Sequence, residues 1–337
     1  MNTVTYTLGD TPTIIVRTCD GDLKFEGADR STVELGADRT PTVTENENVL
    51  EIDADGDLSL LAPLGTSVVV MRLEGDARLT RLASLVVKRV QGRLDVADVS
   101  GACTIGDAEG DVRVARVGEL RVDRVGGGAR VRDIVGPATF HHLSDDAELR
   151  SLASVEAHHV GGDLSAADVE GLCLVHQCHG DVRISNVGEL LLEHVNGDAD
   201  VAEVAAACTV RRTEGDLQVN RVGGLTAESV QGDANVRDVS GPSVVRHIAG
   251  DARIRSVGEL EVHRVEGDLD VGDARSVTGL HHVGGDARLY GDSTLEGGAG
   301  VLVEGDLSLD VALRPGVAYR VQVEGCLLYT SPSPRDS

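Results

Sequence analysis

Ten of the eleven histidines in this 337-residue chain stand just before a recurring apolar position: His141-His142, His158-His159, His176, His194, His247, His263 and His281-His282. Imidazoles repeated at a fixed place in a periodic sequence could share a transition metal, which takes ring nitrogens at about 2.0–2.1 Å. The same places also hold Lys88-Arg89, Asp123-Arg124, Glu193 and Arg211-Arg212. So mixed a column reads as a solvated polar corner in preference to a dedicated metal centre. Aspartate forms a second periodic set, following the turn-glycine position in 11 of 13 units from Asp76 to Asp286. Carboxylates suit Ca²⁺, but the nonapeptide of calcium-binding β-rolls is absent. The pair reads as turn chemistry, with Gly supplying positive φ and Asp bonding a nearby backbone N–H.

Cys103, Cys173 and Cys208 share a third column, taken as core, with Ala138, Ser243 and Thr278, and Cys178 falls at a later core position. Small thiols in a tight column are core filling. The six cysteines form no CxxC pair, which argues against a disulfide framework and for a reducing compartment. No catalytic, cofactor-binding or metal-ligating residue is assigned, and no cofactor. Hydrolases and lyases on β-helices use a groove with convergent acids, whereas the acids here are evenly spaced, with no local break in pattern to mark a site. A hexapeptide acyltransferase repeat is absent, and so are aromatic platforms for sugars. The chain is read as a non-enzyme.

These columns need an element that repeats. Gly75, Gly110, Gly180, Gly215, Gly250 and Gly285 fall in one series of step 35, with Asp145 in the missing slot, and Gly92, Gly127, Gly162, Gly197, Gly232 and Gly267 in another. The series interleave, so units alternate between 17 and 18 residues. The extra residue falls near Ser100-Gly101-Ala102 and Ser240-Gly241-Pro242. Apolar residues stand at positions 3, 5, 8, 11, 13 and 16 of the shorter unit, as in Val112, Val114, Val117, Leu120, Val122 and Val125. Steps of two are strand-like, and steps of three mark corners. This predicts two or three very short strands per coil in an all-β, parallel β-solenoid (β-helix), with 17/18-residue coils in 35-residue double repeats. The crossover rule favours a right-handed one. Position 7 alternates between Arg81, Arg116, Ser151, Asn186, Arg221, Ser256 and Asp98, Asp133, Asp168, Glu203, Asp238, Asp273. One unit per coil then stacks acids beside bases or neutral groups about 4.8 Å apart.

Composition agrees. Gly is abundant at 41, Trp is absent, and aromatic residues make up 2%. A narrow aliphatic core needs no aromatic bulk. The net charge of −25 argues against nucleic acid and anionic membranes as partners. No apolar run approaches the length of a bilayer span, and Met1-Asn2-Thr3-Val4-Thr5-Tyr6 is no signal peptide. A cytoplasmic location is expected. Residues 1–70 break the repeat and read as an N-terminal β cap with the opening coils; 71–304 is the regular solenoid. Gly305-Asp306-Leu307-Ser308-Leu309, followed by Pro315-Gly316, resembles 56–75, so 305–325 reads as the start of a truncated second module. Residues 326–337, from Cys326-Leu327-Leu328-Tyr329-Thr330, read as the translation of a sequencing adapter.

The strand Pro12-Thr13-Ile14-Ile15-Val16, the turn Gly21-Asp22-Leu23, Val49-Leu50-Glu51-Ile52, Pro63-Leu64-Gly65-Thr66 and the Gly-Asp coils that follow carry a resemblance to the bacterial putative-adhesin family of β-solenoid domains, over about 12–325. A weaker likeness is to bactofilins, polymer-forming β-helices of similar coil length. The first resemblance implies surface binding by a repetitive scaffold with an unknown protein or surface partner. The second implies self-association into an end-to-end filament or cytoskeletal element. A glycan-active β-helix enzyme is the third reading.

Overall fold

The structure is a computed structural model that describes residues 2–9, 11–295, 300–313, 320–323 and 328–330. Its described elements are β-strands, stacked as the coils of a parallel β-solenoid. The chain forms two compact units, Met1–Glu170 and Gly171–Ser337.

The first unit opens with β1 (Asn2–Tyr6), β2 (Thr13–Cys19), β3 (Leu23–Ala28), β4 (Val33–Ala37), β5 (Thr42–Asn46), β6 (Val49–Ala54), β7 (Leu58–Pro63), β8 (Ser67–Leu73), β9 (Ala77–Leu82) and β10 (Ser84–Val90). Spatial order departs from chain order here. Strand β2 lies between β6 and β8, and β3 between β7 and β9, all parallel. The free sides of β6 and β7 are covered by antiparallel β5 and β4, and β1 pairs antiparallel with β4. An uncovered parallel edge would template further pairing, and these antiparallel strands occupy it.

Regular coils follow as β11 (Leu94–Ala108), β12 (Val112–Val125), β13 (Ala129–Leu143), β14 (Ala147–Val160) and β15 (Leu164–Cys178), within which the division falls. The second unit continues with β16 (Val182–Val195), β17 (Ala199–Thr213), β18 (Leu217–Val230), β19 (Ala234–Ile248), β20 (Ala252–Val265) and β21 (Leu269–Val283). Short strands complete it: β22 (Ala287–Tyr290), β23 (Thr294–Leu295), β24 (Gly300–Val303), β25 (Leu307–Leu309), β26 (Ala312–Leu313), β27 (Arg320–Val323) and β28 (Leu328–Thr330). Strands β25, β26 and β27 stack parallel on β22, β23 and β24. Of 326–337, β28 is described and pairs with β25. Pro315-Gly316 and Cys326 lie outside the described residues.

The apolar positions read from sequence are the core: Val112, Val114, Val117, Leu120, Val122 and Val125 are all buried. The prediction of two or three very short strands is corrected, because each regular coil is one strand of 14 or 15 residues. The reason lies at position 7. Every residue there from Arg81 to Asp273 is non-glycine with φ between 54° and 61°, and Gly291 closes the series at φ 75°. One left-handed residue turns the chain without ending the strand. It costs an L-residue about 1–2 kcal/mol, a conformation that the flanking ladder imposes. The alternating charges pair as expected: Arg116 with Asp98 at 2.6 Å, and Arg221 with Glu203 at 2.5 Å.

The extra residue of the longer coils also sits as read. Register shifts fall between Val99 and Ala102, between Ile134 and Pro137, and between Val239 and Pro242. Strand β21 departs from this. There Leu260 pairs Val277 and Glu261 pairs Gly279, so the shift has moved along the coil and Thr278 is the extra residue. Thr278 is therefore not core, contrary to its assigned column; Val277 is fully buried in its place, and the Thr278 hydroxyl donates to the Leu260 carbonyl at 3.1 Å.

Candidate functional site

Four sets of side chains repeat along the coils, and the structure gives each a different role. The aspartates form an inter-coil spine. In the second unit Oδ1 of Asp181, Asp198, Asp216, Asp233, Asp251 and Asp268 accepts the backbone N–H of the aspartate one coil on, at 2.8–2.9 Å. In the first unit Asp57 serves Asp22, Asp22 serves Asp76 and Asp76 serves Arg93. The turn reading is corrected in two respects. The accepted N–H belongs to the neighbouring coil, and the partner glycines do not need positive φ, since among described glycines only Gly291 has it. They are needed for close approach: a Cβ on Gly232 would collide with Asp216 Oδ1 and the Gly215 backbone. One oxygen of each of these carboxylates is thus spent on structure, which weakens a cation column.

The histidines line an outward corner, mostly beside acids. His176 shares a 2.7 Å hydrogen bond with Glu193, which also accepts from Arg211 at 2.6 Å. The His176 hydrogen bond, then the nearby cations, hold the Glu193 carboxyl below its usual range. His247 lies 3.1 Å from Glu266, whose carboxyl is lowered in the same way. His282 lies 3.5 Å from Glu304. In the first unit the rings stack: His142 on His159 with centroids 4.5 Å apart and 2° between planes, His141 on His158 at 4.8 Å and 13°. Burial first, then His159 and Arg124, push the His142 pKa down. In the second unit His263 and His281 are instead tilted by 36° at 5.0 Å. Both point Nε2 at Glu261 Oε1, at 3.4 and 3.6 Å.

The cysteines behave as core. Cys19, Cys103, Cys173, Cys178 and Cys208 are buried and form no disulfide with one another. Burial pushes the thiols of Cys103, Cys173 and Cys208 up to about 12, and that of Cys19 to about 11. Thiols so protonated are poor nucleophiles.

The fourth set was not singled out from sequence. Positions 4 and 6 of the coils face outward, and in the first unit they gather Arg78, Arg113, Arg130, Arg132 and Arg150 around a groove of about 570 Å³. Asp95 stands in register between Arg78 and Arg113. Glu148 lies 3.5 Å from Arg130 and 3.0 Å from Arg150. Five cations thus face two acids on a chain of net charge −25. The total charge conceals this island; reading positions 4 and 6 down the columns would have found it.

No protein-family model matches the chain, and no curated protein matches it. Among solved structures it is similar to a protein described as a putative adhesin from Parabacteroides merdae, with 11% identity, 96% of this chain and 94% of that chain covered, and a TM-score of 0.19. At that score the solenoid assignment rests on the strand register, and the likeness to bactofilins has no support.

Proposed function

We propose that this chain is a non-enzymatic solenoid scaffold that binds a short acidic segment of a protein partner across the arginine face of its first unit. The observation that carries the reading is the groove bordered by Arg78, Arg113, Arg130, Arg132 and Arg150. Among the described residues, Arg78, Arg113 and Arg132 have no carboxylate within ion-pair reach. Guanidinium forks take carboxylates in bidentate geometry. The groove crosses five coils, roughly 19 Å at strand spacing, which an extended peptide covers with about six residues. The surrounding acidity disfavours a long polyanion, whose ends would run over like charge. The non-enzymatic reading draws support from the spine aspartates, each of which has a carboxylate oxygen engaged by a backbone N–H. Filament growth from the N-terminal edge is opposed by the antiparallel strands covering it.

The test is binding of a fluorescent hexaglutamate peptide to the full chain and to Arg113→Gln/Arg130→Gln/Arg132→Gln, beside an oligouronate of similar charge. Peptide binding that weakens at least ten-fold in the variant and with added salt supports the reading. Unchanged binding by the variant, no binding of the peptide, or binding of the oligouronate alone overturns it.

A further inference from the structure

We propose that Glu261, His263 and His281 form a site for a divalent transition-metal ion of the Zn²⁺ class. Their donor atoms lie within 4.8 Å of one another. An ion about 2.0–2.1 Å from each of three tetrahedral donors sets those donors roughly 3.4 Å apart. The two Glu261–His distances, 3.4 and 3.6 Å, already meet that requirement. Closing the gap between the two imidazoles takes a small rotation of half-exposed rings. Two imidazoles and one carboxylate suit Zn²⁺, with water completing the shell.

What separates this cluster from the rest of the histidine corner is backbone. Val262 pairs Leu280 and Arg264 pairs His282, so His263 and His281 stand opposite each other on adjacent coils. Opposite Glu261 stands Gly279. A Cβ there would lie 2.9 Å from His281 Nε2, so the missing side chain is the space into which the ring folds to reach Glu261. On the other side of β20 the same position opposite Glu261 is Val244, so the space exists because residue 279 is glycine. The bulge, where β21 departs from β19, lies one residue before Gly279 and three before His281, and past it the register is again that of β19. The stacked pairs of the first unit lie within 13° of parallel, whereas the pair beside the bulge is tilted by 36° so that both rings address one carboxylate.

The test uses the full chain stripped of metal, titrated with Zn²⁺ by calorimetry and with Co²⁺ by visible absorption. Glu156 and His158, 3.4 Å apart, supply two donors of the same kind, so the stoichiometry is read as the difference from His263→Asn/His281→Asn. The proposal expects that variant to lose one equivalent of bound Zn²⁺, and Glu261→Gln and Gly279→Ala each to weaken that equivalent at least ten-fold with unchanged circular dichroism. It also expects Co²⁺ bound there to give the intense visible bands of a tetrahedral ion. His142→Asn/His159→Asn keeps the site. Equal stoichiometry with and without His263 and His281, or full affinity in Gly279→Ala, overturns the proposal.

Discussion

Strands β19 and β21 are two long coils of the same length that flank β20, and they place their extra residue differently. In β19 the shift lies between Val239 and Pro242, and Ser243 turns inward opposite Leu260. In β21 it has moved to Thr278, and Val277 turns inward opposite the same Leu260. The core layer is preserved and the displacement is confined to the residues between the corner and Thr278; past it Val244 and Gly279 each stand opposite Glu261, and His247 and His282 each opposite Arg264. Their sequences explain the move. The corner at 240–242 is Ser-Gly-Pro, where a Cβ on Gly241 would lie 2.5 Å from the Gly223 carbonyl. The corresponding residues of β21 are Arg275-Ser276-Val277: a side chain where the corner is tightest, then an apolar residue able to fill the core. Gly279 offers the slack instead. Coil length alone therefore does not locate a bulge; the corner residues decide it.

The largest expected effect separates these two kinds of glycine. At Gly232 a new Cβ meets the backbone of Gly215 and the spine carboxylate of Asp216. Gly232→Ala should lower unfolding stability by about 3 kcal/mol in urea titration, as overpacking against fixed atoms does. At Gly279 the nearest obstruction is the end of an exposed histidine, so Gly279→Ala should cost less than about 1 kcal/mol and act on metal binding instead. Equal costs would collapse the distinction. Next comes the spine itself. Asp216→Ala leaves the Asp233 N–H without its acceptor and should cost about 1–3 kcal/mol. Asp216→Asn should recover about half, because an amide oxygen still accepts. The comparison can also be reversed by grafting: replacing 276–279 with the Gly-Pro-Ser-Val of 241–244 should return the shift to the corner. Stability should change by no more than about 1 kcal/mol, and the Zn²⁺-dependent rise in melting temperature should disappear.

The coil period, the core columns and the usual place of the extra residue were legible because each repeats many times, and repetition averages away local noise. The bulge at Thr278 was not, because it occurs once. A column rule built on Cys103, Ala138, Cys173, Cys208 and Ser243, all buried, extended to Thr278 with nothing in the spacing to contradict it. The partner of each spine aspartate was hidden for another reason: residues 17 or 18 apart look alike whether Asp bonds its own turn or the next coil. The left-handed corner at position 7 carried no glycine signal, since Arg, Asp, Ser, Asn and Glu all adopt it under the constraint of the ladder. The arginine face was masked by the total charge, which sums over faces that a partner would meet separately.

Acidification should act on His142, which stacks on His159 in the regular coils. The His142 pKa lies below its ordinary value of 6.5, through burial first and then its neighbours His159 and Arg124. The unfolded chain therefore takes up a proton before the folded one does. This contribution to stability is whole above about pH 6.5 and is lost as pH falls from there through the depressed folded value. His142→Asn should flatten that part of the stability profile of the full chain. A profile no flatter than the parent's would show that the stacked pair is not strained by charge.

The smallest effect probes what β20 and β21 share. Ser256 and Asp273 turn their coils at φ 54° and 55°, so the corner at position 7 is untouched by the displaced bulge. The left-handed conformation costs Ser256 about 1–2 kcal/mol, and glycine there would give back about 0.5–1 kcal/mol in unfolded-chain entropy. Ser256→Gly should therefore stabilise by about 0.5 kcal/mol, as Gly291 already does for its own coil in the same column. Ser256→Val, β-branched and worse suited to positive φ, should destabilise. The increment for Ser256→Gly should be the same in the parent and in the grafted chain, since independent sites add. A larger gain in one background would mean that corner and bulge are mechanically coupled, and that moving the extra residue along the coil is felt beyond the residues it displaces.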